Sequence, residues 1–230
     1  MTEEGIQIER DRCAACGECV DACLAGALEL IGREVTVSEI MAEVEKDRPF
    51  YENSGGGLTI SGGEPLMQPE FVRALLNAAR DARIHTCLDT CGYGSWSHYE
   101  KLLPATDLVL FDVKSLDARC HRRGTGRSNS LILQNLQSVT QNGLAVTVRT
   151  PIIPDFNDTH GAVGDIAGFL SRLDTVPDLE LLPFHTLGKA KCERLGMRYP
   201  MDGIDPPDNE TMQKLAQIAR ENGVTCSIGN

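Results

Sequence analysis

Six short apolar runs, rich in β-branched residues, recur along the chain: Leu58–Ile60, Thr86–Leu88, Leu108–Val113, Ala145–Arg149, Leu179–Phe184 and Val224–Ile228. Each has the length and residue types of a strand. Between them, apolar positions fall at helical spacing. Ile40, Met41 and Val44 mark one helical face, and Ile132, Leu136 and Val139 another. Met212, Leu215 and Ala219 mark a third. Phe71, Val72, Leu75, Leu76 and Ala79 mark a longer one, opened by Pro69 in its first turn. A further helix is expected over 161–173, although three glycines interrupt its pattern. Strand–helix alternation of this kind predicts an α/β fold with a parallel sheet and right-handed crossovers.

The strand runs end in unusual polar residues. Leu58–Ile60 is followed by Ser61-Gly62-Gly63-Glu64-Pro65, and Thr86–Leu88 by Asp89-Thr90. The third run ends in Asp112-Val113-Lys114, the fourth in Arg149, and the fifth leads into His185. Carboxyl ends of parallel strands form the active face of barrels and open α/β sheets. Leaving the core explains one or two polar ends, but not five chemically distinct ones on one rim.

Charge narrows the function classes. The chain has 22 Lys+Arg against 33 Asp+Glu, a formal net charge of −11. A sequence-independent nucleic-acid binder needs a basic face, so nucleic acid is not an expected partner. No apolar run reaches membrane-spanning length. Met1–Glu9 has three acidic residues and no apolar stretch, so it does not read as a signal peptide. There is no solenoid-length repeat, Pro/Ser linker or low-complexity tract.

Nine cysteines change the picture more than charge does. Four fall in one short segment: Cys13, Cys16, Cys19 and Cys23, spaced C-x2-C-x2-C-x3-C. This is the bacterial ferredoxin spacing, and soft thiolates select iron–sulfur clusters or zinc. Zinc sites usually use two separated pairs, so a [4Fe–4S] cluster is expected here. Leu24 stands where a proline usually follows the last cysteine. In two-cluster ferredoxins the fourth cysteine serves the other cluster. Cys13, Cys16 and Cys19 would then grip one cube from a loop, with Cys23 at the start of a short helix pointing away. No second run is present for a partner cluster. The other five cysteines are scattered and read as structural. Together these features place the chain in a reducing cytoplasm and divide it into a ferredoxin-like iron–sulfur segment, residues 1–33, and a larger domain, residues 34–230.

Longer stretches carry a family resemblance. They are Gly55 to Leu66, containing Ser61-Gly62-Gly63-Glu64-Pro65; His85 to Tyr93, containing Asp89-Thr90-Cys91-Gly92; Thr106 to Lys114; and Leu181 to Lys189, containing Pro183-Phe184-His185. From Ile8 onward the chain resembles the radical S-adenosylmethionine (SAM) enzymes that activate glycyl-radical enzymes, in the subgroup with a ferredoxin insert. The resemblance implies a partial (β/α)6 TIM-like barrel. It implies reductive cleavage of SAM to a 5′-deoxyadenosyl radical, which takes hydrogen from a backbone glycine of a partner enzyme.

The resemblance also implies site residues. Gly62, Gly63 and Glu64 would hold the SAM amino group. Asp112 and Lys114 would meet its ammonium and carboxylate. Asp89, Thr90 and Asp112 match a monovalent-cation site. His185 matches a residue at the nucleoside, and Arg149 a strand-end arginine. Arg149 and His185 admit a second reading, in which each pairs with a rim carboxylate. The implied partners are a glycyl-radical enzyme, approached at its C-terminal glycine loop, and a flavodoxin or ferredoxin-type reductant.

One departure stands against this. The family's C-x3-C-x2-C, three thiolates that leave one iron open for SAM, does not occur. Cys19-x3-Cys23 is followed by Gly26 at the next required position, and Cys87-x3-Cys91 by Gly94. The chain therefore reads as an N-terminally truncated activase, without the first barrel strand and inactive as given. Two other readings remain: an iron–sulfur electron-transfer module, and a SAM-binding homologue without catalysis. The rim set favours a SAM protein over a carrier, which has no use for it.

Overall fold

In the computed structural model, which describes residues 6–229, six parallel strands form one sheet in the order of the chain. They are β1 Gly57–Ile60, β2 His85–Thr90, β3 Leu108–Asp112, β4 Ala145–Ile152, β5 Asp178–Pro183 and β6 Cys226–Ile228. β1 and β6 are its two edges. Sequential order with a helical crossover at every step is the topology of an incomplete α/β barrel. Of the N-terminal stretch read as lacking a signal, Met1–Gly5 lies outside the described residues.

Among the described residues, ten α-helices connect or flank the strands: α1 Glu18–Asp21, α2 Val37–Val44, α3 Arg48–Ser54, α4 Pro69–Asp81 and α5 Trp96–Leu102, then α6 Ala118–Thr125, α7 Ser130–Thr140, α8 His160–Leu170, α9 Gly188–Arg194 and α10 Asn209–Glu221. Local chemistry starts several of them. Thr36 and Glu39 form a reciprocal capping box on α2. Asp117 caps α6, Thr159 caps α8 and Asp208 caps α10, each accepting from a first-turn N–H. α4 lays Val72, Leu75, Leu76 and Ala79 against the sheet, all buried. Burying each larger side chain stabilises by roughly 1.5–3 kcal/mol.

All six expected strands are present. β4 runs three residues past its expected end, through Pro151. Side chains hold that extension: Thr150 Oγ1 donates to the Val113 carbonyl at 2.8 Å and Asn157 Nδ2 to the Pro151 carbonyl at 2.8 Å. β6 starts two residues late, because Val224 is still tied to the end of α10. α8 forms despite Gly161, Gly164 and Gly168. Each glycine costs about 1 kcal/mol in a helix, but Val163, Ile166, Ala167 and Leu170 are fully buried, which outweighs it.

The cysteine-rich segment carries little regular structure. After α1, residues 22–36 form no helix or strand. Gly17, at φ +84°, turns the chain so that α1 begins at Glu18. The short helix therefore contains Cys19 and ends before Cys23, which corrects the expectation that Cys23 opens it.

Candidate active site

The carboxyl ends of the strands build one rim. β1 leads into the exposed Gly62-Gly63 turn, where Gly62 takes φ +118°, a backbone state that side chains rarely adopt. Glu64 follows, and its carboxylate is fully engaged. It accepts from Thr90 Oγ1 at 2.7 Å, from Cys91 N at 2.8 Å and from Leu66 N at 3.2 Å. Glu64 thus ties the turn after β1 to the end of β2. Beyond β2, Gly92 has φ +78°, and a Cβ there would stand 2.4 Å from the Phe111 ring. Only glycine fits. Asn135 of α7 donates to the carbonyls of Gly92 at 2.9 Å and Gly94 at 2.8 Å, fixing this loop.

A chain of alternating charge crosses the rim from β2 to β4. Arg149 pairs with Asp89 and, at 3.4 Å, with Asp112. Lys114 Nζ meets the other Asp112 oxygen at 2.9 Å. The sheet dictates this meeting, since Asp112 and Arg149 are register partners. These side chains are only 19–28% exposed, so their charges act through a medium less screening than water. Burial pushes the Asp89 carboxyl up; Arg149 opposes this and the Asp112 and Glu64 charges add to it. Burial works to lower Arg149, but Asp89 and Asp112 outweigh it and raise it. The half-buried Cys91 thiol is pushed up to about 11 by desolvation and by the Glu64 carboxylate beside it. Arg149 Nε is buried without a partner among the described residues. A buried donor left unpaired costs about 1–3 kcal/mol, so a ligand acceptor there would be well received.

The rim brings most of the expected residues together. Glu64, Thr90, Asp89, Arg149, Asp112 and Lys114 are linked by direct contacts. For Arg149, pairing with rim carboxylates is what the structure shows. His185 stands apart: it is exposed just beyond β5 and makes no hydrogen bond among the described residues. Asp89, Thr90 and Asp112 do not face one another as a free trio. The Thr90 hydroxyl serves Glu64, and the positive charge between the two aspartates is Arg149. Among the described residues, no three His, Cys, Asp or Glu side chains converge closely enough to hold a single metal ion.

Three supporting residues were missed in the sequence. Buried Tyr99 lies 3.3 Å from Thr90 Oγ1. Asn135 is described above. Asn157 accepts from Ile153 N and donates to the Lys114 and Pro151 carbonyls, all at 2.8 Å. An asparagine inside the apolar pattern of α7 is the one signal that pointed to such a role.

The ferredoxin-type run forms a second feature. Cys13, Cys16 and Cys19 line a cavity of about 420 Å³, closed on one side by Arg194 and Leu195 at the end of α9. Cys23 is not in its wall; its sulfur accepts from Ala27 N at 3.2 Å. Three cysteines lining one cavity suit a cluster larger than a single ion. All nine cysteines are free thiols.

Comparison with known proteins supplies the context. The radical SAM superfamily model matches residues 13–163. The isethionate sulfite-lyase activating enzyme of Oleidesulfovibrio alaskensis is 45% identical over 224 residues, covering 96% of this chain and 72% of that protein. The (2S)-3-sulfopropanediol dehydratase activating enzyme of Klebsiella oxytoca is 38% identical over 227 residues, covering 96% and 72%. A domain of the pyruvate formate-lyase-activating enzyme of Bacteroides vulgatus superposes with a TM-score of 0.65 at 29% identity, covering 76% of this chain and 99% of that structure. Enzymes of this superfamily use a [4Fe–4S] cluster and SAM. The chain belongs to the radical SAM superfamily, among the activating enzymes of glycyl-radical enzymes.

Proposed function

We propose that the rim from β1 to β4 is the SAM site of an activase that installs a radical on a backbone glycine of a partner enzyme, at that partner's C-terminal glycine loop. The observation that carries this is the charge chain Asp89–Arg149–Asp112–Lys114 beside the open Gly62-Gly63 turn. A ligand bearing one ammonium and one carboxylate matches the Asp112–Lys114 pair in sign, each group exchanging one charged partner for another. A second acceptor on the ligand would satisfy the unpartnered Arg149 Nε. Glu64 shapes the glycine turn and leaves the backbone of Gly62 and Gly63 to face the ligand. Asn157 holds the Lys114 backbone in place. His185, exposed just beyond β5, is the residue we assign to the nucleoside end. A monovalent cation would have to share Asp89 and Asp112 with Arg149.

Bound SAM supplies the carbon radical once it receives an electron. The cluster that delivers this electron in the family needs C-x3-C-x2-C, and these 230 residues contain none. The residues present do not fit that cluster. They do fit a ferredoxin-type cluster at Cys13, Cys16 and Cys19, with a flavodoxin or ferredoxin-type protein as reductant in a reducing cytoplasm. The ferredoxin-like segment, residues 1–33, and the barrel, residues 34–230, then divide electron handling from SAM binding.

Anaerobic reconstitution with iron and sulfide, followed by SAM and a strong reductant, tests this. The 230-residue chain is expected to bind SAM and to form no 5′-deoxyadenosine. Robust 5′-deoxyadenosine formation would show that some other cysteine set in this chain does the reductive step.

A further inference from the structure

The cysteine-rich segment is tied to the barrel through one arginine. Arg10 opens a short 3-10 turn, Arg10–Arg12, that runs directly into Cys13. Its carbonyl accepts from the Cys13 N–H at 3.2 Å. Its guanidinium reaches the far end of the chain, where Nη2 donates to the Arg194 carbonyl at 3.3 Å, on the last residue of α9. A Cβ built on Gly196 would stand 3.5 Å from both Nε and Nη2 of Arg10, so the guanidinium lies against the turn that ends α9. Arg10 is thus held at both ends beside the cavity that it lines together with Cys13, Cys16 and Cys19.

The charge of Arg10 is also unspent. Residues 9–34 carry six carboxylates and three arginines, so the cavity sits in an acidic stretch. Arg12 is taken by Glu9 at 3.0 Å, whereas Arg10 forms no ion pair with a described residue. Of the three arginines in the stretch, Arg10 is the one in the cavity wall. Glu29, in the same wall, acts with the opposite sign.

We propose that Arg10 sets the reduction potential of the cluster at Cys13, Cys16 and Cys19, its charge favouring the reduced form. The proposal rests on the reading that these three cysteines hold a ferredoxin-type cluster. Thiolate ligands make such a cluster an anion, and one-electron reduction makes it more negative still, so nearby charge and hydrogen bonding set its potential. An arginine keeps its positive charge at any working pH. Because Arg10 is exposed, water and salt weaken its field, and a modest shift is expected in place of a large one.

The test reconstitutes the full chain anaerobically and titrates it with dithionite, which gives one electron to each cluster; electron paramagnetic resonance reads the reduced fraction. Arg10→Gln and Arg10→Met remove the charge, and Arg10→Lys keeps it. The neutral variants are expected to be about threefold or more harder to reduce, a midpoint lower by about 28 mV at 59 mV per tenfold. Arg10→Lys is expected to stay near the wild-type midpoint. The gap between neutral and charged proteins is expected to narrow between about 50 and about 500 mM NaCl, where screening tightens. Equal midpoints in the wild type and the neutral variants, with the cluster present in each, would overturn the proposal and leave the cluster reading standing. Loss of the cluster from both neutral variants would also overturn it, making Arg10 a clamp between segment and barrel. A wild-type chain that takes up no cluster would overturn the reading and the proposal together.

Discussion

The Glu64 carboxylate and the Thr90 hydroxyl are 2.7 Å apart, and this bond joins the glycine turn after β1 to the end of β2. Because the same carboxylate also accepts from Cys91 N and Leu66 N, it acts as a strut across two strand ends. Removing it leaves partly buried donors without acceptors. Glu64→Ala is expected to cost about 1–3 kcal/mol, and to lower Tm by several degrees in a chain of this size. Glu64→Gln, which keeps one acceptor oxygen, is expected to recover part of that loss. Differential scanning calorimetry of the three proteins checks the order wild type, Gln, Ala.

Arg149 sets the charge balance of the rim. Burial raises the Asp89 carboxyl, so the folded chain holds that proton more tightly than the unfolded chain. The stability it contributes is fully present below the unfolded value and falls as pH rises through the folded one. Arg149 limits that fall by favouring the ionised form. Arg149→Gln is therefore expected to destabilise more at pH 8 than at pH 5, by about 1.5–3 kcal/mol at the higher pH. Urea unfolding at the two pH values reads this directly. An equal loss at both would mean that Asp89 does not sense the guanidinium.

The six strands, the face of each long helix and the run of polar strand ends were legible in the sequence because each is a local pattern. That Arg149 could pair with a rim carboxylate was one of its two readings, but which carboxylates, Asp89 and Asp112, was not legible. It depends on strand register, and residues 89, 112 and 149 come from three separate strands. The role of Glu64 was half legible. Its place after two glycines marked a functional turn, but its use as a strut to Thr90 and Cys91 arises only when β1 pairs with β2. Asn157 was invisible for a different reason, since a loop asparagine looks like any turn residue until the backbone closes round it. α6 escaped because its sequence is basic and nearly without apolar positions. Its cap at Asp117 and its Gly126 end, at φ +74°, hold it instead.

Thiol reactivity separates the cysteine classes. Cys13, Cys16 and Cys19 are exposed, whereas Cys87 and Cys226 are buried. Burial pushes Cys91 and Cys226 up to about 11 and raises Cys87 as well. Since the thiolate is the nucleophile, these three are nearly inert at pH 8. Iodoacetamide on the cluster-free protein is expected to label Cys13, Cys16 and Cys19 first and to spare Cys87, Cys91 and Cys226. Peptide mass spectrometry over a time course gives the order.

The cavity wall makes a sharper prediction about iron. Cys16 lines the cavity that Cys13 and Cys19 also line, and Cys23 does not. Anaerobically reconstituted protein is expected to hold about four irons per chain, the content of one cube. Cys16→Ala is expected to abolish the cluster, and Cys23→Ala to leave part of it. Equal loss from both would place all four thiolates on one cube.

Calorimetric titration of SAM into the wild type and Lys114→Ala tests the SAM site most directly. Lys114, 28% exposed and paired with Asp112 at 2.9 Å, is the rim cation we propose for the SAM carboxylate. Losing one charge-assisted hydrogen bond costs about 1.5–3 kcal/mol, an affinity loss of about 10- to 150-fold. The wild type is expected to bind SAM and Lys114→Ala to bind it more weakly within that range, with unchanged folding. The same affinity in both proteins, or no binding to the wild type, would contradict a SAM site at this rim.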